Sequence, residues 1–281
     1  LLDSLGHCDE AAEIFAALHE RHPDSDEILD LLERSLRGGD DAAALCDLLE
    51  RRGGWADNDE ETAALELERA TITEEALGER QRACDLYERI LRDHPEAPAA
   101  DVADRRLEGL LEALGDWDRL RSHLSARTEH VSGDDEIALR EQIATICRDR
   151  LHDMGGCAEQ LERIAELTTD RVVVWQQLAD LYAQELNRPA DWLRVVEAEL
   201  DAGPEQEREF TLRVNAARLY LDDEKRPDDC DEGVAYAHYE RVLELDASHA
   251  EAAEVLAMHY ARTGRHDDQS RILEARLEHL A

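Results

Sequence analysis

The sequence predicts an all-α chain: antiparallel helix hairpins stacked as an α-α superhelical solenoid, with no sheet. Three observations predict it. Six prolines and fourteen glycines are few for 281 residues, and they sit between periodic segments, as a nearly all-helical chain requires. Apolar residues recur at helical spacing along the chain. Finally, a set of helical segments returns at intervals of 72, 74 and 78 residues, the signature of a repeat architecture.

The segments that return are AAEIFAALHERHP (11–23), ACDLYERILRDHP (83–95), CAEQLERIAELTT (157–169) and AYAHYERVLELDA (235–247). Each opens with a small residue, followed by a bulky one four later and another apolar one three beyond. In register these are Ala11, Phe15 and Leu18; Ala83, Tyr87 and Ile90; Cys157, Leu161 and Ile164; and Ala235, Tyr239 and Val242. The +4, +3 spacing keeps all three on one helical face. The small residue lets a neighbouring helix approach. Pro23 and Pro95 close the first two segments, because proline cannot continue a helix.

A second element recurs in the other half of each unit, as EALGDWDRLRSHL (112–124) and RPADWLRVVEAEL (188–200). Gly115 suits a left-handed C-cap and Asp116 an N-cap, after which Trp117 begins a helix; Trp192 takes the matching place 75 residues on. Gly264 keeps the glycine near the end of the chain, and Gly39 with Asp40 takes the role near the start. Helices are expected over 134–153, 157–169, 171–186 and 191–202 in the third unit. VVVW (172–175), though β-branched, opens a helical pattern. Loops are short, so successive helices are antiparallel neighbours. The expected organisation is one array over 1–281, about seven hairpins in units near 1–58, 59–133, 134–204 and 205–281. The pattern starts and stops in mid-repeat, so a longer natural array is expected.

WQQLADLY (175–182) raises the question of a ligand box. Trp175, Leu178 and Tyr182 lie at offsets 0, +3 and +7, one stripe of a helix, which favours packing. With Ala179 in place of glycine, these residues resemble the first-helix signature of the tetratricopeptide repeat, and AEVLAMHY (253–260) keeps Leu256, Ala257 and Tyr260. The four recurring segments resemble its second helix. Repetition at a near-constant interval makes the resemblance specific where any single match is weak. It implies that Trp175, Leu178 and Tyr182 pack between helices. Cys147 departs from it, standing where the family has tyrosine. DDEKRPDDCDEG (222–233) lengthens one connection, and such loops can carry contacts.

Sixty-nine acids face thirty-two bases, a formal net charge of −37, and every base but Lys225 is arginine. Such a surface repels phosphate backbones and anionic membranes, so nucleic acid is excluded as a partner. It fits a solvation strategy, the ordinary meaning of a charge run, or attraction of a basic partner. Cys8, Cys46, Cys84, Cys147, Cys157 and Cys230 form no C-x-x-C pair and fall mostly among apolar residues. They read as reduced thiols of a cytosol-like compartment, and a cytoplasmic location is expected. No apolar run approaches the ~18 residues of a membrane span.

No motif for catalysis, phosphate cradling or cofactor binding is found, and neither an enzyme nor a cofactor is expected. His19 and His22 lie three apart but lack the glutamate of a zinc-protease helix, and read as surface histidines. Asp222, Asp223, Glu224, Asp228, Asp229, Asp231 and Glu232 lack calcium-loop order, so the acidic loop reads as a solvated connector and no metal site is expected.

The resemblance implies a concave surface, lined by first helices, that receives peptides. Carried across, its groove side would present Arg105, Glu141, Arg148, Gln176, Asp180, Gln184, Arg218, Glu254, Met258 and Arg262, a mixed polar face. The lysine- and asparagine-based clamp of some family members is missing, since Lys225 lies in a loop. The expected function is a non-catalytic scaffold or assembly module that binds a protein or peptide, a basic one being a candidate. The alternatives are a structural, self-associating segment of a larger repeat protein, or the regulatory arm of a multidomain enzyme. A chain this charged repels itself, and salt screens the repulsion. Its melting temperature is therefore expected to rise from low-salt buffer to molar salt; a flat or falling curve would contradict this.

Overall fold

The computed structural model describes residues 7–22, 25–56, 58–227 and 230–280; Pro23, Asp228 and Asp229 lie outside the described residues. By contacts the chain divides into two compact units, Leu1–His123 and Leu124–Ala281. No strand occurs among the described residues.

The first unit holds α1 (Cys8–Arg21), α2 (Asp26–Gly38), α3 (Ala42–Gly53), α4 (Asp59–Glu75), α5 (Arg80–Asp93) and α6 (Pro98–Leu114), and α7 (Trp117–Thr128) starts in it. Each of α1 to α5 packs on its successor, and α4 also packs on α6. Ala12, Leu29, Leu32, Leu36, Leu45, Leu48 and Leu49 build one core, flanked by Phe15, Leu65 and Ile72. Asn58 starts α4 by accepting the Glu61 amide at 2.8 Å, and Pro98 opens α6, where its missing N–H is no loss. Gly115 ends α6 in the left-handed region at φ 70°, as its position after the apolar run predicts.

The expected cap at Gly39 and Asp40 is corrected. Gly39 is extended at φ −98°, and it is Asp41 that caps α3, accepting the Ala44 amide at 2.9 Å. A Cβ at Gly39 would lie 2.3 Å from Asp9 Oδ1, so a larger residue would displace the carboxylate that accepts the Asp40 amide at 3.1 Å.

The second unit holds α8 (Asp134–Ile146), α9 (Met154–Leu167), α10 (Arg171–Asp180), α11 (Pro189–Asp201), α12 (Gln206–Tyr220), α13 (Glu232–Leu245), α14 (Ala250–Thr263) and α15 (His266–Leu280). Consecutive helices from α8 to α15 pack on one another. Counting the π-helical turns that carry α8 to Leu151 and α10 to Glu185, the boundaries expected over 134–202 agree to within three residues. What the sequence did not announce is that α8 and α10 each run on into a π-helical turn, Cys147–Leu151 and Leu181–Glu185. Beyond those turns His152 and Asn187 take positive φ, 53° and 48°. α14 instead ends on Gly264, left-handed at φ 76°. Two chemistries thus stop equivalent helices: a glycine cap, or a widened turn followed by a side chain that tolerates the left-handed region.

Packing follows the repeat. The opening small residues Ala11, Ala83, Cys157 and Ala235 are all buried, as are Tyr87, Leu161, Tyr239, Ile90, Ile164 and Val242, while Phe15 and Leu18 are half-buried. Tyr182 is buried and Trp175 only half-buried, so the opening question resolves toward packing, with the tyrosine as anchor. The buried tyrosine hydroxyls donate to carboxylates on adjacent helices: Tyr87 to Glu74 at 2.8 Å, Tyr182 to Glu162 at 2.6 Å, Tyr239 to Glu251 at 2.9 Å, and Tyr260 to Glu240. A buried phenol needs such a partner. Burial, reinforced by the Glu74 carboxylate, pushes the Tyr87 hydroxyl up to about 12.

Tyr182→Ala is expected to lose roughly 3–5 kcal/mol of stability, Trp175→Ala roughly 1–2 kcal/mol, and Tyr182→Phe roughly 1–3 kcal/mol for the bond to a charged acceptor. Urea unfolding followed by circular dichroism checks the order; Trp175→Ala costing more than Tyr182→Ala would contradict it.

Candidate functional site

The arginines decide where negative charge is left over. Arg37 donates to Glu33 at 2.9 Å and to Glu68 on α4 at 2.8 Å. Arg106 on α6 reaches Glu75 on α4 at 2.6 Å, and Arg119 on α7 reaches Glu88 on α5 at 3.0 Å. In the second unit Arg194 on α11 bonds Glu162 on α9, and Arg218 on α12 bonds Glu251 on α14 at 2.8 Å. These cross-hairpin pairs join residues 31 to 33 apart in sequence, helix to next-but-one helix. A planar guanidinium suits such two-pronged contacts better than an ammonium, which accounts for arginine in place of lysine.

Five carboxylates that take no part in these bridges line a cleft of about 660 Å³ between α1, α2 and α3 in the first unit. Asp9 and Glu13 approach it from α1, Asp40 and Asp41 from the turn before α3, and Asp47 from α3; Arg51 is the one base lining it. Glu13, Asp40, Asp47 and Arg51 form no ion pair among the described residues. The floor is apolar, built by Ala12, Leu32, Leu36, Ala44 and Leu48. Two rim carboxylates are held in place by the backbone: Asp9 by the Asp40 amide, Asp41 by the Ala44 amide. Such a cleft can receive an apolar side chain on its floor and cations at its rim.

The groove residues expected from the sequence have mixed fates. Arg105 is exposed on α6 in the first unit, and the other nine belong to the second. Glu141, Asp180 and Gln184 are exposed, and Met258 is 66% exposed, an unusual degree for a large apolar side chain. Five find partners outside the set. Arg148 pairs with Asp149 at 2.8 Å, Arg218 with Glu251, Glu254 with Arg276 at 3.0 Å, and Arg262 donates to the Tyr236 hydroxyl at 3.2 Å. Gln176 is half-buried and donates to Glu199 at 3.3 Å. Glu199 is fully buried and gripped by two Arg208 bonds of 3.0 Å. It was legible in principle, as an acid on the apolar stripe of α11 beside Val195, Val196 and Leu200.

A smaller pocket of about 220 Å³ in the second unit is lined by Asn187, Arg188, Trp192, Asn215 and Lys225, so the loop lysine and an aromatic residue share one pocket. His19 is buried, which corrects the expectation of two surface histidines; His22 is exposed. Among the described residues one set of three has metal-ligating atoms close together: Asp104, Glu108 and His123, none singled out by the sequence. No described helix is long and apolar enough to cross a membrane.

Comparisons with known proteins give one family match: the tetratricopeptide repeat family model matches residues 67–97, the second half of α4 through α5 and beyond, enclosing the recurring segment 83–95. No curated protein matches the chain. Among solved structures, the C-terminal part of a TPR repeat-containing protein from Cytophaga hutchinsonii is similar at 13% identity over 90% of this chain and 96% of that one, TM-score 0.33. A tetratricopeptide repeat protein from Parabacteroides merdae is similar at 14% identity over 91% and 93%, TM-score 0.33. YrrB, a TPR protein with an unusual peptide-binding site, is similar at 16% identity over 69% and 91%, TM-score 0.30.

Glu251 offers a pH test of the cross-hairpin bridges. Its bond from Arg218, aided by the Tyr239 hydroxyl and opposed by burial, lowers its pKa from an ordinary 4.5 to about 2. A depressed carboxylate stabilises the fold fully above about pH 4.5 and loses that contribution as pH falls toward 2. Arg218→Gln is expected to be less stable than the parent at pH 7, by no more than about 1 kcal/mol for so exposed a pair. The gap should close as pH falls through that window. Urea midpoints at several pH values measure it; a constant gap would contradict the assignment.

Proposed function

We propose that this tetratricopeptide-repeat chain is a non-catalytic docking scaffold, and that the cleft between α1, α2 and α3 takes a basic segment of a partner protein with an apolar side chain seated on its floor. The observation that carries the reading is the imbalance at the cleft, five carboxylates against one arginine around an apolar base. Elsewhere Arg37, Arg106, Arg119, Arg194 and Arg218 pair with acids of neighbouring hairpins, and in this reading their role is structural. Arg148 and Arg218 pair with Asp149 and Glu251, so in this reading a partner would have to compete with those acids to reach them. Glu141, Asp180, Gln184 and Met258 remain as partner-facing residues of a second surface, and Arg105 as one in the first unit; these are part of the proposal. So is the organisation of all hairpins as a single array. Stacked repeats offer extended surface, which suits binding.

Fluorescence anisotropy tests the reading with a labelled helical peptide carrying arginine and leucine, against a matched peptide carrying glutamate and leucine. The basic peptide should bind, more weakly as salt rises. Glu13→Gln and Asp47→Asn should each weaken it roughly two- to five-fold at low salt, the worth of an exposed charge pair. Equal binding of the two peptides, or indifference to both substitutions, would contradict the proposal.

A further inference from the structure

We propose that Asp104, Glu108 and His123 form a binding site for a divalent first-row cation of the zinc type. Asp104 and Glu108 stand one turn apart on one face of α6. The chain reverses at Gly115, and α7 brings His123 back against that face. One oxygen from each carboxylate and one imidazole nitrogen lie within 4.8 Å of one another.

The imidazole supplies an independent reason. Its side chain is only 10% exposed, and Nε2 lies 3.1 Å from Asp104 Oδ1. That nitrogen is nevertheless buried without a hydrogen bond, because the approach is poorly aligned. A neutral ring with its proton on Nδ1 would point the Nε2 lone pair toward carboxylate oxygens, lone pair against lone pair. A cation between them turns the same arrangement into three attractive contacts. Both carboxylates have other partners in the fold, which help to fix them. One imidazole and two carboxylates suit zinc and its neighbours; calcium and magnesium prefer larger all-oxygen shells. Ligand bonds of ~2.0–2.1 Å place tetrahedral donors ~3.3 Å apart. The long Glu108 side chain can supply that contraction, and water completes the four-coordinate shell. The bound ion would fasten α6 to α7 across the Gly115 turn.

With so many carboxylates, weak zinc binding over the surface is expected, so the test must isolate one site. Full-length chain is titrated with Zn²⁺ by calorimetry at moderate salt, and with Co²⁺ by visible absorption. One site per chain should stand at least ~10-fold tighter than the diffuse background. Zn²⁺ should raise the melting temperature, and Co²⁺ should give four-coordinate absorption bands. His123→Gln and Glu108→Gln should each abolish the tight site and the bands, while His22→Gln keeps both. Should His123→Gln fail to fold, Glu108→Gln carries the same test. Absence of a distinct tight site, or its survival in Glu108→Gln, overturns the proposal. So does an imidazole that stays protonated at neutral pH and is unmoved by Zn²⁺ in histidine NMR, which would make the trio an ion pair only.

Discussion

The structure depends on one constraint: no helix here can bury its own apolar stripe. A small residue such as Ala83 or Ala235 lets the neighbouring helix close in, and Tyr87 or Tyr239 fills the space one turn later. The tyrosine brings a hydroxyl that must be bonded, so a glutamate follows on an adjacent helix. That glutamate then needs its charge balanced, and an arginine from two helices away supplies it: Arg106 beside Glu74, Arg194 beside Glu162, Arg218 beside Glu251. Apolar burial, phenol and guanidinium thus form one recurring chain of consequences, and each link ties a helix to near neighbours in sequence.

The same chain of consequences explains the charge. Arginine is recruited to hold hairpins together, and acids beyond those it neutralises are left on the surface. Where they surround an apolar floor, at the cleft of α1, α2 and α3, they make a feature a cationic partner can recognise. In the proposed reading the docking surface is a by-product of how the fold spends its few positive charges. It also separates residues that look alike in sequence: Arg51 lines the cleft without an ion pair among the described residues, while Arg52, its neighbour, pairs with Asp30 at 3.2 Å.

The helices were legible because a 3.6-residue period survives in the apolar positions, and Gly115, Gly264 and Pro98 punctuate it. The π turns after Ile146 and Asp180 were not legible: no glycine marks them, and His152 and Asn187 are ordinary loop residues until the backbone shows their positive φ. The cap at Asp41 was missed by one residue, because Asp40 and Asp41 are chemically identical and only the turn chooses between them. Of the candidate sites, the groove residues were read from family register alone, and that register cannot tell an exposed arginine from one engaged across a hairpin. The acidic cleft was hidden by abundance, since acids occur everywhere and only the fold shows which lack an arginine. His123 was hidden by distance, lying fifteen residues from Glu108 and on another helix.

Native-state hydrogen exchange, resolved helix by helix at increasing urea, tests the central claim most directly. If each helix is held by near neighbours, opening free energies should change gradually along the chain and fall into blocks of adjacent helices. A single opening free energy shared by α1 through α15, with every amide released in one cooperative step, would contradict the account.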